Sequence, residues 1–204
     1  MPSVEKGMCE CLENIKSYKK IGYSDLQNCV KNAIITQKDK IAEVITLQYG
    51  DTLSNNELYN KSFEYGQKIG RELDTSMVYK CDTYFITTDS LRFDYLNKFD
   101  KDSINIEIEK LKSYDTVLEK DYLERKAQLF FFSGKYKEAL SIANSLLEKN
   151  SENAWALIIK ATSLEIDKKY NEAIPIYYKL VKVTGQPNYL VWAVCAKRKA
   201  SLNK

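Results

Sequence analysis

The sequence predicts an all-α protein: an N-terminal helical bundle followed by a short array of α-hairpins closed by a last helix. Three observations carry that expectation. Only 7 Gly and 3 Pro among 204 residues leave little material for the turns of a β fold. In the first half, apolar residues recur at helical spacing behind capping signals. In the last third the chain repeats itself with a period of 34 positions, the length of one helical hairpin.

The first half opens with Cys9 and Cys11, two apart and therefore on opposed faces of a helix. Ser24-Asp25-Leu26-Gln27 and Ser54-Asn55-Asn56-Glu57 both match the capping box, in which a hydroxyl accepts from the backbone three residues on and the acid or amide there reaches back. They predict helices running to about Tyr49, with Gly50 as the stop, and to about Leu73. Val30, Ile34, Ile41 and Ile45 form the core stripe expected of the first, and Tyr59, Phe63, Gly66, Gly70 and Leu73 that of the second. Each Gly costs about 1 kcal/mol of helix propensity against Ala, so a close helix approach at Gly66 and Gly70 is the expected compensation, ahead of a phosphate loop. Two further helices are expected, from about Ser76 to Asn97 and from about Ser103 to Tyr114. No Pro-, Gly- or Ser-rich linker interrupts the chain, and the expected division is 1–118 for the Cys-containing region and 119–204 for the array.

The array rests on matched positions. Gly134-Lys135-Tyr136-Lys137-Glu138-Ala139-Leu140 is answered by Lys168-Lys169-Tyr170-Asn171-Glu172-Ala173-Ile174, and Leu123, Ala127 and Phe130 by Leu157, Ala161 and Leu164. Ala127 with Ala139, and Ala161 with Ala173, are small enough to let paired helices approach, while Tyr136 and Tyr170 fill the gap beside each turn. Pro187 to Ala200 reads as a covering helix: Pro suits its first turn, Val191, Val194 and Cys195 its inner stripe, and Lys197, Arg198 and Lys199 the negative end of its dipole. The Gly-Lys-Tyr turn, the following Glu-Ala and the small residue before each turn resemble the tetratricopeptide repeat family over about residues 121–204. Departures are Ser151 where that family usually ends a helix with Pro, and Pro175 shortly after a helix start, where Pro is tolerated only in the first turn.

Composition narrows function. Lys and Arg exceed Asp and Glu by only 31 to 28, too small an excess for phosphate neutralisation, so no nucleic acid is expected as a partner. No stretch approaches the roughly 20 apolar residues of a membrane span. The absence of His removes the commonest general base and metal ligand, so no catalytic residue, metal or cofactor is assigned. Cys9, Cys11, Cys29 and Cys81 are disulfide candidates in two cross-helix patterns, Cys9 and Cys11 each reaching Cys29 or Cys81. Zinc, which would want Cys-x-x-Cys or His, and reduced thiols acting as small hydrophobes are the rival readings. Cys195, at a small-residue position of the array, reads as a buried thiol.

Cys9-Glu10-Cys11, Cys29, Tyr65-Gly66-Gln67-Lys68-Ile69-Gly70 and Cys81-Asp82-Thr83-Tyr84-Phe85 resemble a small helical region of exported proteins of the Bacteroidetes group, with Asp82 standing where that family often has Pro. This resemblance implies an export signal upstream, two disulfides among Cys9, Cys11, Cys29 and Cys81, and a place in the periplasm or cell envelope; a cytoplasmic location is the alternative. The tetratricopeptide resemblance implies a groove lined by the first helix of each hairpin, here Gln128, Phe131, Phe132, Trp155, Ile158, Thr162, Tyr189 and Trp192. The alternative is that neighbouring helices cover them. The Lys, Asn and Arg set that grips acidic tails in chaperone-binding members is replaced by Glu124, Gln128, Ile159, Tyr189 and Ala193, so a hydrophobic peptide or another protein is the expected partner. The resulting expectation is a non-catalytic interaction scaffold, with an immunity-type inhibitor of a secreted toxin second and an enzyme third. The oligomeric state is left open.

Overall fold

A computed structural model of the chain describes residues 2–17, 19–49, 54–94, 96, 98–111 and 119–203. Among these there are eleven α-helices and no strand: α1 Pro2–Lys16, α2 Tyr23–Ile35, α3 Lys38–Tyr49, α4 Asn55–Lys80, α5 Asp82–Asp94, α6 Lys101–Leu111, α7 Glu119–Phe132, α8 Tyr136–Lys149, α9 Ala154–Ile166, α10 Tyr170–Thr184 and α11 Asn188–Leu202. The fold is all-α. The chain divides into two compact units, Met1–Leu91 and Arg92–Lys204. The expected boundary near residue 118 lies outside the described residues.

In the first unit α1 packs on α2 and α4. Its inner face is Val4, Met8 and Leu12, one residue per turn, and Leu73 and Met77 repeat that spacing on α4. Several expectations are corrected here. Helix α2 opens two residues early: Gly22 is the N-cap and Asp25, not Gln27, reaches back to the Gly22 N–H at 2.9 Å. The helix expected to run to Tyr49 is broken at Thr36 and Gln37, and the buried residues of α2 are Cys29 and Ala33, with Val30 and Ile34 on the flank. The Ser54 box forms as expected, Glu57 N–H donating to Ser54 Oγ at 3.4 Å and Ser54 N–H to Glu57 Oε2 at 2.9 Å. Its helix α4 continues past Leu73 to Lys80, because nothing breaks it until Cys81 takes an extended backbone.

The expected core stripe of α4 is also wrong in its first half, since Tyr59 and Phe63 are exposed and only Leu73 is buried. A Cβ added at Gly66 or Gly70 would meet nothing within 4 Å, so no close helix approach explains these glycines. Gly50, the side chain of Ile41, Asn97 and Tyr114 lie outside the described residues.

In the second unit each of α7 to α10 packs on its successor, and α6 packs on α7. Helices α8 and α10 begin at Tyr136 and Tyr170, and α9 and α11 at Ala154 and Asn188, each pair 34 positions apart. The turns before α8 and α10 share one geometry: Gly134 has φ 83° and Lys168 φ 59°, and Lys135 N–H to Phe130 C=O and Lys169 N–H to Leu164 C=O are both 2.8 Å. These are left-handed helix endings that satisfy orphan carbonyls. Ala127 and Ala139 share one core cluster, and Ala161 and Ala173 the next. Tyr136 packs edge-on against Phe131 at 5.6 Å. Pro175 lies inside α10, whose helical run continues through it.

Candidate interaction surface

The groove residues expected on α7, α9 and α11 divide by burial. Phe131, Thr162 and Tyr189 are core residues, 1%, 2% and 7% exposed, and cannot meet a partner without repacking. Gln128, Phe132, Ile158 and Trp192 are half-buried, and Trp155 is exposed. Neighbours hold two of the half-buried rings. Phe99 covers Phe132 with centroids 4.1 Å apart, and Phe132 also packs on the cluster of Ile104, Ile108 and Leu129. Trp192 stands edge-on to Tyr177 at 5.8 Å and to Tyr189 at 5.0 Å. What remains open on α7 and α9 is Trp155, with Ile158 one turn on and part of Gln128. Asn153 fixes the start of α9 there, its side-chain oxygen accepting from Ala156 N–H at 3.0 Å and its Nδ2 donating to Glu124 at 3.2 Å.

Sequence reading missed the most charged feature of this unit. Glu165, near the end of α9, is 3% exposed; its Oε2 accepts from Arg92 Nη1 at 2.9 Å and from the Tyr177 hydroxyl at 2.7 Å, and its Oε1 accepts from Arg92 Nη2 and from Lys199 Nζ at 3.1 Å. Arg92 lies 4.6 Å over the Phe93 ring and Lys199 5.0 Å over the same ring. Burial first, and then the Glu165 charge, pushes the Tyr177 hydroxyl well above its ordinary pKa, so it stays a donor. A carboxylate with four donors is saturated, which suits it to anchoring α9 to α10 and α11 rather than to proton transfer. A signal was present: one period before Glu165 stands core Phe131 and one period after it Lys199, so a carboxylate and a cation occupy the place of a buried ring.

In the first unit the candidate cysteines pair as Cys9 with Cys81, Cα atoms 5.8 Å apart, and Cys11 with Cys29, 5.6 Å apart. Cys195 is buried and lies outside both bridges. Near the first bridge, Glu5 accepts from Lys80 Nζ at 2.7 and 2.9 Å and from Ser76 Oγ at 2.7 Å. Burial opposes its ionisation, but those hydrogen bonds and the Lys80 charge outweigh it and hold the carboxyl below its usual range. Glu13 has a carboxylate oxygen within 4.8 Å of the Cys9 and Cys81 sulfurs; with both sulfurs in a disulfide, this trio offers no thiolate to a metal. Burial raises the Asp74 carboxyl, which accepts from the Tyr84 hydroxyl at 2.8 Å.

No helix among the described residues is long and apolar enough to cross a membrane. No family model matches the chain, and no curated protein or solved structure matches it either.

Proposed function

We propose that the chain is a non-catalytic protein–protein interaction scaffold of tetratricopeptide type that works in an oxidising, extracytoplasmic compartment. The observation that carries this reading is the 34-residue recurrence, which extends from side-chain classes to helix starts and to the left-handed turns at Gly134 and Lys168. Hairpins of this kind bury a shared core by stacking and leave the first helix of each pair to meet a partner. Trp155 and Ile158 on α9 are the anchor positions, since an exposed Trp beside an aliphatic residue is the composition of a binding hot spot. A hydrophobic peptide or the apolar surface of another protein is the partner chemistry. The compartment is inferred from the two disulfides, which persist where thiols are not kept reduced.

The test places a photo-crosslinking side chain at position 155 or, as a control on α10, at position 179, in the full chain expressed in its native host. The reading expects a discrete crosslinked protein from position 155 that Ile158→Ala weakens. Equal labelling from both positions, or none from 155, would sink the groove. Mass spectrometry of the unreduced protein from the same cells checks the compartment: Cys9, Cys11, Cys29 and Cys81 should resist alkylation, and five reactive thiols would overturn it.

A further inference from the structure

We propose that Cys9 is a site of thiol–disulfide exchange, at which a small neutral or cationic thiol forms a mixed disulfide and releases Cys81. Access selects the sulfur that is attacked. Cys9 is half-buried and lines a groove of about 650 Å³ together with Glu5, Lys6, Glu10, Glu13 and Lys80, whereas Cys81 is 2% exposed. A thiolate in the groove therefore reaches the Cys9 sulfur and displaces the buried one.

The departing sulfur sits at a junction of two helices. Cys81 has an extended backbone, φ −135° and ψ 110°, and its carbonyl accepts from Phe85 N–H at 3.0 Å, which makes it the N-cap of α5. The same residue closes α4, its N–H donating to Met77 C=O at 3.0 Å, so the positive end of α5 and the negative end of α4 meet at Cys81 and access, not acidity, sets the direction of attack. Cys29, the buried half of the other bridge, sits inside α2 at 0% exposure, and Cys11 lines no comparable groove with it among those described.

Glu13 works against a thiolate at either sulfur. Its charge is moderated because the Thr83 hydroxyl donates to it while Lys16 Nζ donates to that hydroxyl at 3.3 Å. In the groove Glu5 is paired with Lys80 and Glu10 with Lys6, at 2.7 and 3.7 Å, while Glu13 lies within 4.8 Å of both sulfurs. An approaching thiol thus meets a negative charge, and a cationic thiol is preferred over an anionic one.

The step is balanced without an oxidant. The incoming thiolate forms an S–S bond to Cys9 Sγ, the Cys9–Cys81 bond breaks, and its electron pair goes to Cys81 Sγ, which takes a proton from water. A second thiol returns Cys9 to the free form and leaves as the mixed small-molecule disulfide.

The experiment exposes the native, oxidised full chain to cysteamine or to mercaptoethanesulfonate, quenches with iodoacetamide at intervals, and maps each cysteine by mass spectrometry. Each rate is normalised to the same thiol acting on a small reference disulfide. The expected product carries the thiol on Cys9 and the alkyl group on Cys81, forming roughly tenfold before any change at Cys11–Cys29. Cysteamine should lead by roughly several-fold, and Glu13→Gln should bring that ratio toward one. Thiol found on Cys81, or both bridges opening at one rate as global unfolding would give, overturns the site. A normalised ratio of one in the unaltered protein overturns the charge selection.

Discussion

Lys168 is the one non-Gly residue with a positive φ among the described residues, and it stands 34 positions after Gly134, which does the same job without a Cβ. A left-handed backbone costs an L-residue about 1–2 kcal/mol, which glycine avoids. Lys168→Gly should therefore stabilise the second unit by about 1 kcal/mol, and Gly134→Ala should destabilise it by a similar amount, both read from urea midpoints. The opposite signs make the pair a sharper test than either alone. Glu165 is a residue of another kind, because its value depends on what its loss strands. With Arg92 4% and Lys199 19% exposed at the side chain, Glu165→Ala removes a carboxylate to which a buried guanidinium and a largely buried ammonium both donate. We expect a loss of about 3–5 kcal/mol, and a smaller loss when Arg92→Met accompanies Glu165→Leu, since replacing the whole pair with apolar groups removes the desolvation cost as well. Equal losses for the single and double changes would show that packing, not charge, sets the effect.

At the scale of elements, the helix starts of the last third were legible and those of the first unit only in part, for one physical reason. A 34-residue period fixes small residues, turn aromatics and helix starts together, so the errors of one position are corrected by its partner: Tyr136 and Tyr170, Ala127 and Ala161. The first unit has no such redundancy. Its Ser54 box is legible because the box is a complete local motif, whereas the Ser24 pattern competes with the cap that Gly22 and Asp25 supply, and no local signal marks the break at Thr36. Spacing places the expected surface residues on α7, α9 and α11, but that Phe99 covers Phe132 and that Trp192 packs on Tyr177 depends on contacts that spacing does not encode. Helix α4 offers the element-level prediction. Gly66 and Gly70 sit in its interior with open space where a Cβ would go, so Gly66→Ala and Gly70→Ala should each stabilise the chain by about 0.5–1 kcal/mol. Destabilisation by either would mean that something packs on that face after all.

The whole molecule carries its covalent constraints in one unit only. The two bridges close loops of 72 and 18 positions, and both fall within Met1–Leu91, while Arg92–Lys204 contains Cys195 alone, outside any disulfide. In the chain-entropy model loops of these lengths remove about 4 and about 3 kcal/mol of unfolded-state freedom, values that do not add in full because one loop lies inside the other. That is comparable with the entire stability of a small domain, so reduction should act on the first unit and spare the second. The two Trp residues, 155 and 192, both belong to the second unit, which makes their fluorescence a private probe of it, whereas far-ultraviolet circular dichroism sees every helix. In urea titrations with and without a strong phosphine reductant, the dichroism curve should gain an early phase on reduction while the fluorescence midpoint stays where it was. A fluorescence midpoint that falls together with the dichroism curve would instead mean that the chain unfolds as one cooperative body.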